Sequence, residues 1–121
     1  MFKQDAFLKL ELCIDHLDTV AVYFSKIKNA EDLFILNDGV YYDAVLMRLQ
    51  ALSETLKKLN NTYPSVIEFL KYEKIDDLIK FRDLVSHHYE KLDYEIIYNI
   101  CTVELPKLKI SIAETMKDFN Q

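Results

Sequence analysis

Glycine and proline are almost missing from this chain: Gly39, Pro64 and Pro106 are the only three in 121 residues. So few turn-formers leave nothing from which to build a series of hairpins or a glycine-rich loop that cradles phosphate, which removes Rossmann-type and P-loop readings. Cysteine is scarce too. Cys13 and Cys101 lie far apart and neither belongs to a CxxC pair, so no zinc ribbon or thioredoxin-type redox centre is encoded locally. Two free, buried thiols are the expectation. No apolar run approaches a membrane span, and the opening stretch MFKQDAFLKLELCID mixes charges among its apolar residues, unlike a signal peptide. The expected location is the cytoplasm, with no membrane partner. Positive charge is also in deficit. Fifteen Lys and Arg face 20 Asp and Glu, a formal net charge of −5, which argues against a broad basic face for nonspecific nucleic-acid binding. The segment from Lys71 to Lys91 is the mild exception: Lys71, Lys74, Lys80, Arg82 and Lys91 balance Glu73, Asp76, Asp77, Asp83 and Glu90.

What the chain does have is apolar residues, half of the total, at helical spacing. Its length fits one domain, residues 1–121, with a real core. Phe7, Leu10, Ile14, Leu17, Ala21 and Phe24 step by three and four and predict a long first helix over about residues 3–28, with its stripe facing inward. A short helical piece near Leu33 to Leu36 leads into a turn at Asn37, Asp38 and Gly39. Val45, Leu49, Leu52, Leu56 and Leu59 predict a second long helix closed by a left-handed residue at Asn60 or Asn61. Pro64 suits the first turn of a short helix, PSVIEFL. A third substantial helix starts near Ile75 with Ile75, Leu78, Ile79, Phe81 and Val85 inward, carrying Arg82 and His87 along its flank. Asp93 is placed to cap a last helix in which Ile96, Ile100 and Val103 face the core. Leu105, Leu108, Ile112, Met116 and Phe119 continue it, and Pro106 should kink or restart it. No strand alternation is sustained. The fold expected is all-α, an up-and-down bundle of four to five helices.

One stretch carries chemistry: FRDLVSHHYEKLDYE, residues 81–95. Asp83, His87 and Glu90 make a thin metal set, and His88 points about 100° away from His87 on a helix, so no metal is expected. Arg82 and Asp83 as plain surface charges, with Tyr89 packing its ring, is the competing bland reading. His16, between Asp15 and Leu17, reads as a helix-surface histidine.

The spacing of Arg82, Asp83, His87 and Tyr89 resembles the signature of the HEPN ribonucleases, and within them the HepT-like toxins. The flanks are similar as well. AVLMRLQALSETLKKL looks like that family's second helix, with Glu54 matching an acidic position; YPSVIEFL falls at its short turn; KLDYEIIYNICTVELPKLKISI resembles its closing segment, an aspartate-capped helix interrupted by Leu-Pro. The one departure is Asp83, where the family more often has asparagine. The resemblance implies a HEPN-like helical domain that cleaves RNA, mRNA or tRNA, without a cofactor. It implies Arg82 and His87 as catalytic residues, with Asp83, Glu54 and His88 in support. It also implies a homodimer that pairs the two motifs and a minimal nucleotidyltransferase antitoxin that attaches AMP to Tyr89. The alternative is a noncatalytic helical module that partners a nucleotidyltransferase.

The residues fit that chemistry. RNA carries its own nucleophile, the 2'-hydroxyl, so a histidine near neutral pH can move the proton and an arginine fork can hold phosphoryl oxygens. Five residues on an ideal helix separate Arg82 and His87 by about 140°, whereas Tyr89, seven on, shares the face of Arg82.

Overall fold

A computed structural model describes residues 4–88 and 91–119, the side chains of His88 and Phe119 excepted. Among these residues the structure is helical with no strand. The long helices α1 (Gln4–Phe24) and α3 (Val40–Thr62) pack along each other and form the frame. Between them lies the short α2 (Ala30–Ile35), whose first turn is closed from both sides: Asn29 Oδ1 accepts from the Asp32 N–H at 3.0 Å, and Asp32 Oδ2 accepts from the Lys28 N–H at 2.8 Å.

The turn expected at Asn37 to Gly39 is there, and it is tight. Three successive residues, Asn37, Asp38 and Gly39, have φ of 53°, 54° and 81°, which Asn, Asp and Gly tolerate better than other residues. The expected inward stripe of α3 is fully buried, Val45, Leu49, Leu52, Leu56 and Leu59 each at 2% exposure or less. Asn60 and Asn61 do not end this helix. It runs to Thr62 and stops at Tyr63, with φ −134°, because Pro64 opens the next helix and its ring crowds an α conformation in the residue before it.

Helix α4 (Pro64–Leu70) ends on a left-handed Lys71, and α5 (Ile75–Ile79) is separated from α6 (Phe81–His88) by Lys80. The third expected helix is thus two short ones in series, with Leu78, Phe81 and Val85 buried and Ile75 and Ile79 half-buried. Asp93 does cap the last segment, Oδ1 accepting from the Glu95 N–H at 2.8 Å. That segment comprises α7 (Tyr94–Asn99), a π-helical turn (Ile100–Glu104) and α8 (Leu105–Phe119). Helix α8 lies against α1 and α4, α6 against α3, and α2 against α7.

Two expected faces are corrected. Ile96 and Val103 were expected in the core but are 55% and 40% exposed, while Ile97 and Cys101 are buried in their place and Leu105 is buried as expected. The π turn inserts one extra residue per turn ahead of Pro106, so a 3.6-residue stripe drawn through it comes out on the wrong side. On α1 the buried stripe is Ala6, Leu10, Cys13, His16, Leu17 and Val20, and Ala21 is exposed. His16 is therefore not a surface histidine: it is 8% exposed, with its Nδ1 3.2 Å from Arg48 Nη1 on α3. Arginine has only donors, so Nδ1 accepts and the neutral ring carries its proton on Nε2. Desolvation foremost, then the Arg48 charge, push the His16 pKa down, opposed by Asp15.

Both cysteines are free and buried, and burial raises each thiol pKa to about 12. Among the described residues no helix is long and apolar enough to cross a membrane.

Candidate active site on the motif helix

Helix α6 is pinned by Phe81 and Val85, each 3% exposed, so the residues between and beside them are pushed to its shoulders. Arg82 sits on the shoulder facing α3. Its Nη1 donates to Glu54 Oε2 at 2.6 Å, with the arginine side chain 56% and the glutamate 36% exposed. The same pairing holds the Glu54 carboxyl below its usual pKa: the Arg82 hydrogen bond is the main cause, with its charge and those of Lys58 and Lys57 adding, against desolvation. Glu54, matched from the resemblance, thus meets Arg82 across 28 residues of sequence. Arg82 pairs with Glu54 rather than with Asp83 beside it, which is exposed.

A residue that sequence reasoning passed over fixes the start of this helix. Ser53 is 1% exposed, and its Oγ donates to the Ile79 carbonyl at 2.7 Å while accepting from the Arg82 N–H at 3.3 Å. One hydroxyl thereby satisfies a carbonyl of α5 and a first-turn N–H of α6, groups that a helix end otherwise leaves without partners. The signal was a small polar residue beside the apolar stripe of α3, next to Leu52. Such a residue is buried only when it has hydrogen bonds to make.

His87 is exposed on α6. Five residues from Arg82, it lies about 140° round the helix, on the other shoulder, so one chain does not bring the two together. The side chain of His88, together with Tyr89 and Glu90, lies outside the described residues, and so does the shared face expected for Arg82 and Tyr89. Among the described residues no group of three or more His, Cys, Asp or Glu is arranged to hold a metal ion.

On the other side of Phe81 runs a groove of about 700 Å³, walled by Leu78, Phe81 and Leu84 on one side and Ile96, Ile100 and Glu104 on the other. Glu104 was not singled out in the sequence. The π turn brings its carboxylate inward, 9% exposed, where Oε1 accepts from the Tyr72 hydroxyl at 2.6 Å and Oε2 lies 3.5 Å from Lys74 Nζ. Burial and that hydrogen bond push the Tyr72 phenol well above its usual range, and Tyr72 and Lys74 hold Glu104 down. This pair is a structural tie between the π turn and the segment before α5.

The chain belongs to the family described as ribonuclease HepT-like, which matches residues 13–115. Ribonuclease is therefore its class. Over 121 residues, all of this chain and 99% of the relative, it is 26% identical to a Methanocaldococcus jannaschii protein named "Putative RNase MJ0125". A second protein of that organism, "Putative RNase MJ1216", is 26% identical over 119 residues, 98% of this chain and 93% of its own. No solved structure matches the chain significantly.

Proposed function

We propose that this protein is a metal-independent RNA endonuclease, the cytoplasmic toxin of a toxin–antitoxin pair, cutting mRNA or tRNA. The observation that carries this reading is the exposed Arg82 guanidinium, braced by Glu54 on the long α3, with His87 on the opposite shoulder of the same helix. Arg82 binds the scissile phosphate and stabilises charge on its oxygens; His87 takes the proton of the 2'-hydroxyl or delivers one to the leaving oxygen. Glu54 keeps the fork aimed, and the incoming phosphate shares or displaces it. Asp83 and His88 support the site from the same helix.

Two shoulders of one helix cannot converge on one phosphate. A two-fold homodimer with facing 82–89 segments solves this: the symmetry sets an arginine and a histidine of each copy around one groove without further sequence. The partner is a minimal nucleotidyltransferase that silences the toxin by attaching AMP to Tyr89, where the new phosphate competes for Arg82.

Purified protein incubated with total RNA in EDTA is the direct test. Cleavage that disappears in Arg82→Ala and in His87→Ala supports the proposal. RNA left intact by the wild-type protein, with and without divalent ions, points instead to a noncatalytic module that partners a nucleotidyltransferase. That second reading draws on Arg82 already being engaged by a carboxylate.

A further inference from the structure

Three aromatic rings from three helices meet beside the left-handed turn between α2 and α3. Tyr94, the first residue of α7, stands between Phe34 of α2 and Tyr42 of α3. Its ring centroid is 5.2 Å from that of Phe34, with the planes at 45°, and 4.8 Å from that of Tyr42, at 69°. Rings inclined at these angles do not stack flat; they present faces and edges at an angle to one another, as the walls of a box do. A hollow of about 340 Å³ opens among them, with Asp38 and Asp43 also in its lining.

Both carboxylates are exposed, and they are not an isolated pair. From Asn29 to Asp43 the chain has Glu31, Asp32, Asp38 and Asp43 and no lysine or arginine. Where a ring face opens to the hollow it presents the negative end of the aromatic quadrupole, the same sign as the carboxylates at the rim, and both favour a cation. Nucleic acid and other polyanions are repelled here. A bare metal ion makes no use of aromatic walls.

The size of the guest follows from what surrounds the hollow. Phe34, Ile35 and Val40 are 57%, 53% and 56% exposed, an unusual run of large apolar side chains on one short stretch. A free amine fills the hollow and leaves these uncovered. A basic side chain carried on a chain with apolar neighbours fills it and covers them.

We propose that the hollow formed by Phe34, Tyr42 and Tyr94 with Asp38 and Asp43 recognises a lysine or arginine side chain presented, between apolar residues, by a protein partner. The stem of the guest lies along the rings and its charged head reaches the two aspartates. The site shares no residue with the proposed nuclease machinery, and the inference stands apart from it.

The test is a ¹H–¹⁵N shift titration of the full chain at low ionic strength with three probes: the capped peptide Leu-Leu-Lys-Leu-Leu, the same peptide with norleucine for lysine, and n-butylammonium. The lysine peptide is expected to shift amides within residues 33–43 and at Tyr94 and to bind on the order of tenfold more tightly than the norleucine peptide. Tyr94→Ala, or the exposed pair Asp38→Asn with Asp43→Asn, should bring it down to the level of the norleucine peptide, while Tyr94→Phe, which keeps the ring, should retain it. Equal binding of the two peptides, shifts elsewhere on the surface, or indifference to the paired Asn substitutions would overturn the site. Butylammonium binding as tightly as the lysine peptide would overturn the protein partner.

Discussion

Ser53→Ala is the perturbation that most directly examines how α6 is held. The substitution removes a hydroxyl and little volume, so it opens no cavity of consequence. What it does remove is the donor to the Ile79 carbonyl at 2.7 Å and the acceptor of the Arg82 N–H at 3.3 Å, at a position 1% exposed. Leaving a buried polar group without its partner costs about 1–3 kcal/mol. The carbonyl bond is short and the N–H bond long, so the loss should sit near the middle, about 2 kcal/mol. For a chain of this length that corresponds to a drop in Tm of roughly 8 °C. Urea unfolding with linear extrapolation measures the stability. Amide exchange locates it: protection should fall first at residues 82–84, where the Arg82 N–H loses its acceptor beside the amides of Asp83 and Leu84 that donate to the Lys80 carbonyl at 3.1 and 3.2 Å. A variant within about 0.5 kcal/mol of wild type, with unchanged exchange at these amides, would refute the claim that Ser53 seats the helix.

His87→Ala should abolish RNA cleavage and toxicity while moving stability by no more than about 0.5 kcal/mol, because the residue is exposed; a variant that still cuts RNA ends its catalytic assignment. Tyr89→Phe should keep cleavage but escape silencing by a coexpressed nucleotidyltransferase, and intact mass should show AMP on the wild type alone; normal silencing of the Phe variant would mean that silencing works by complex formation. The depressed pKa of His16 makes the unfolded chain the tighter proton binder, so stability should fall as pH drops below the unfolded value of about 6.5 and through the lower folded one. The stability difference between pH 7.5 and pH 5.5 should shrink in His16→Gln, which can still accept from Arg48, and identical differences in the two proteins would show that His16 is not the titrating group. Cys13 and Cys101, with thiols raised to about 12 by burial, should resist alkylation in the folded protein and react once it is unfolded in urea; rapid labelling of the native chain would contradict their burial.

The two long helices of the frame, the α3 core stripe, the Asn37 to Gly39 turn, the start of α4 at Pro64 and the Asp93 cap were legible in the residues. Each rests on interactions within a few positions of itself: periodic apolar side chains, a missing proline N–H, a carboxylate on a first-turn amide, a residue type that tolerates positive φ. That Arg82 and His87 share one helix was legible for the same reason, while their reading as a motif came from the resemblance of the segment and its flanks to a known family. Which way the stripes of α1 and of the segment before Pro106 turn was a different matter. A π turn at Ile100–Glu104 rotated Ile96 and Val103 out and Glu104 in, and the approach of α3 turned α1 until His16 lay against Arg48. The pairings that build sites were likewise decided only by the tertiary structure: Ser53 with Ile79 and Arg82, Glu54 with Arg82, Tyr72 with Glu104, and Tyr94 between Phe34 and Tyr42. Local free energies set where a helix forms and stops. The contacts between helices far apart in sequence depend on the rotation and approach of whole elements, and these are settled by packing the complete core.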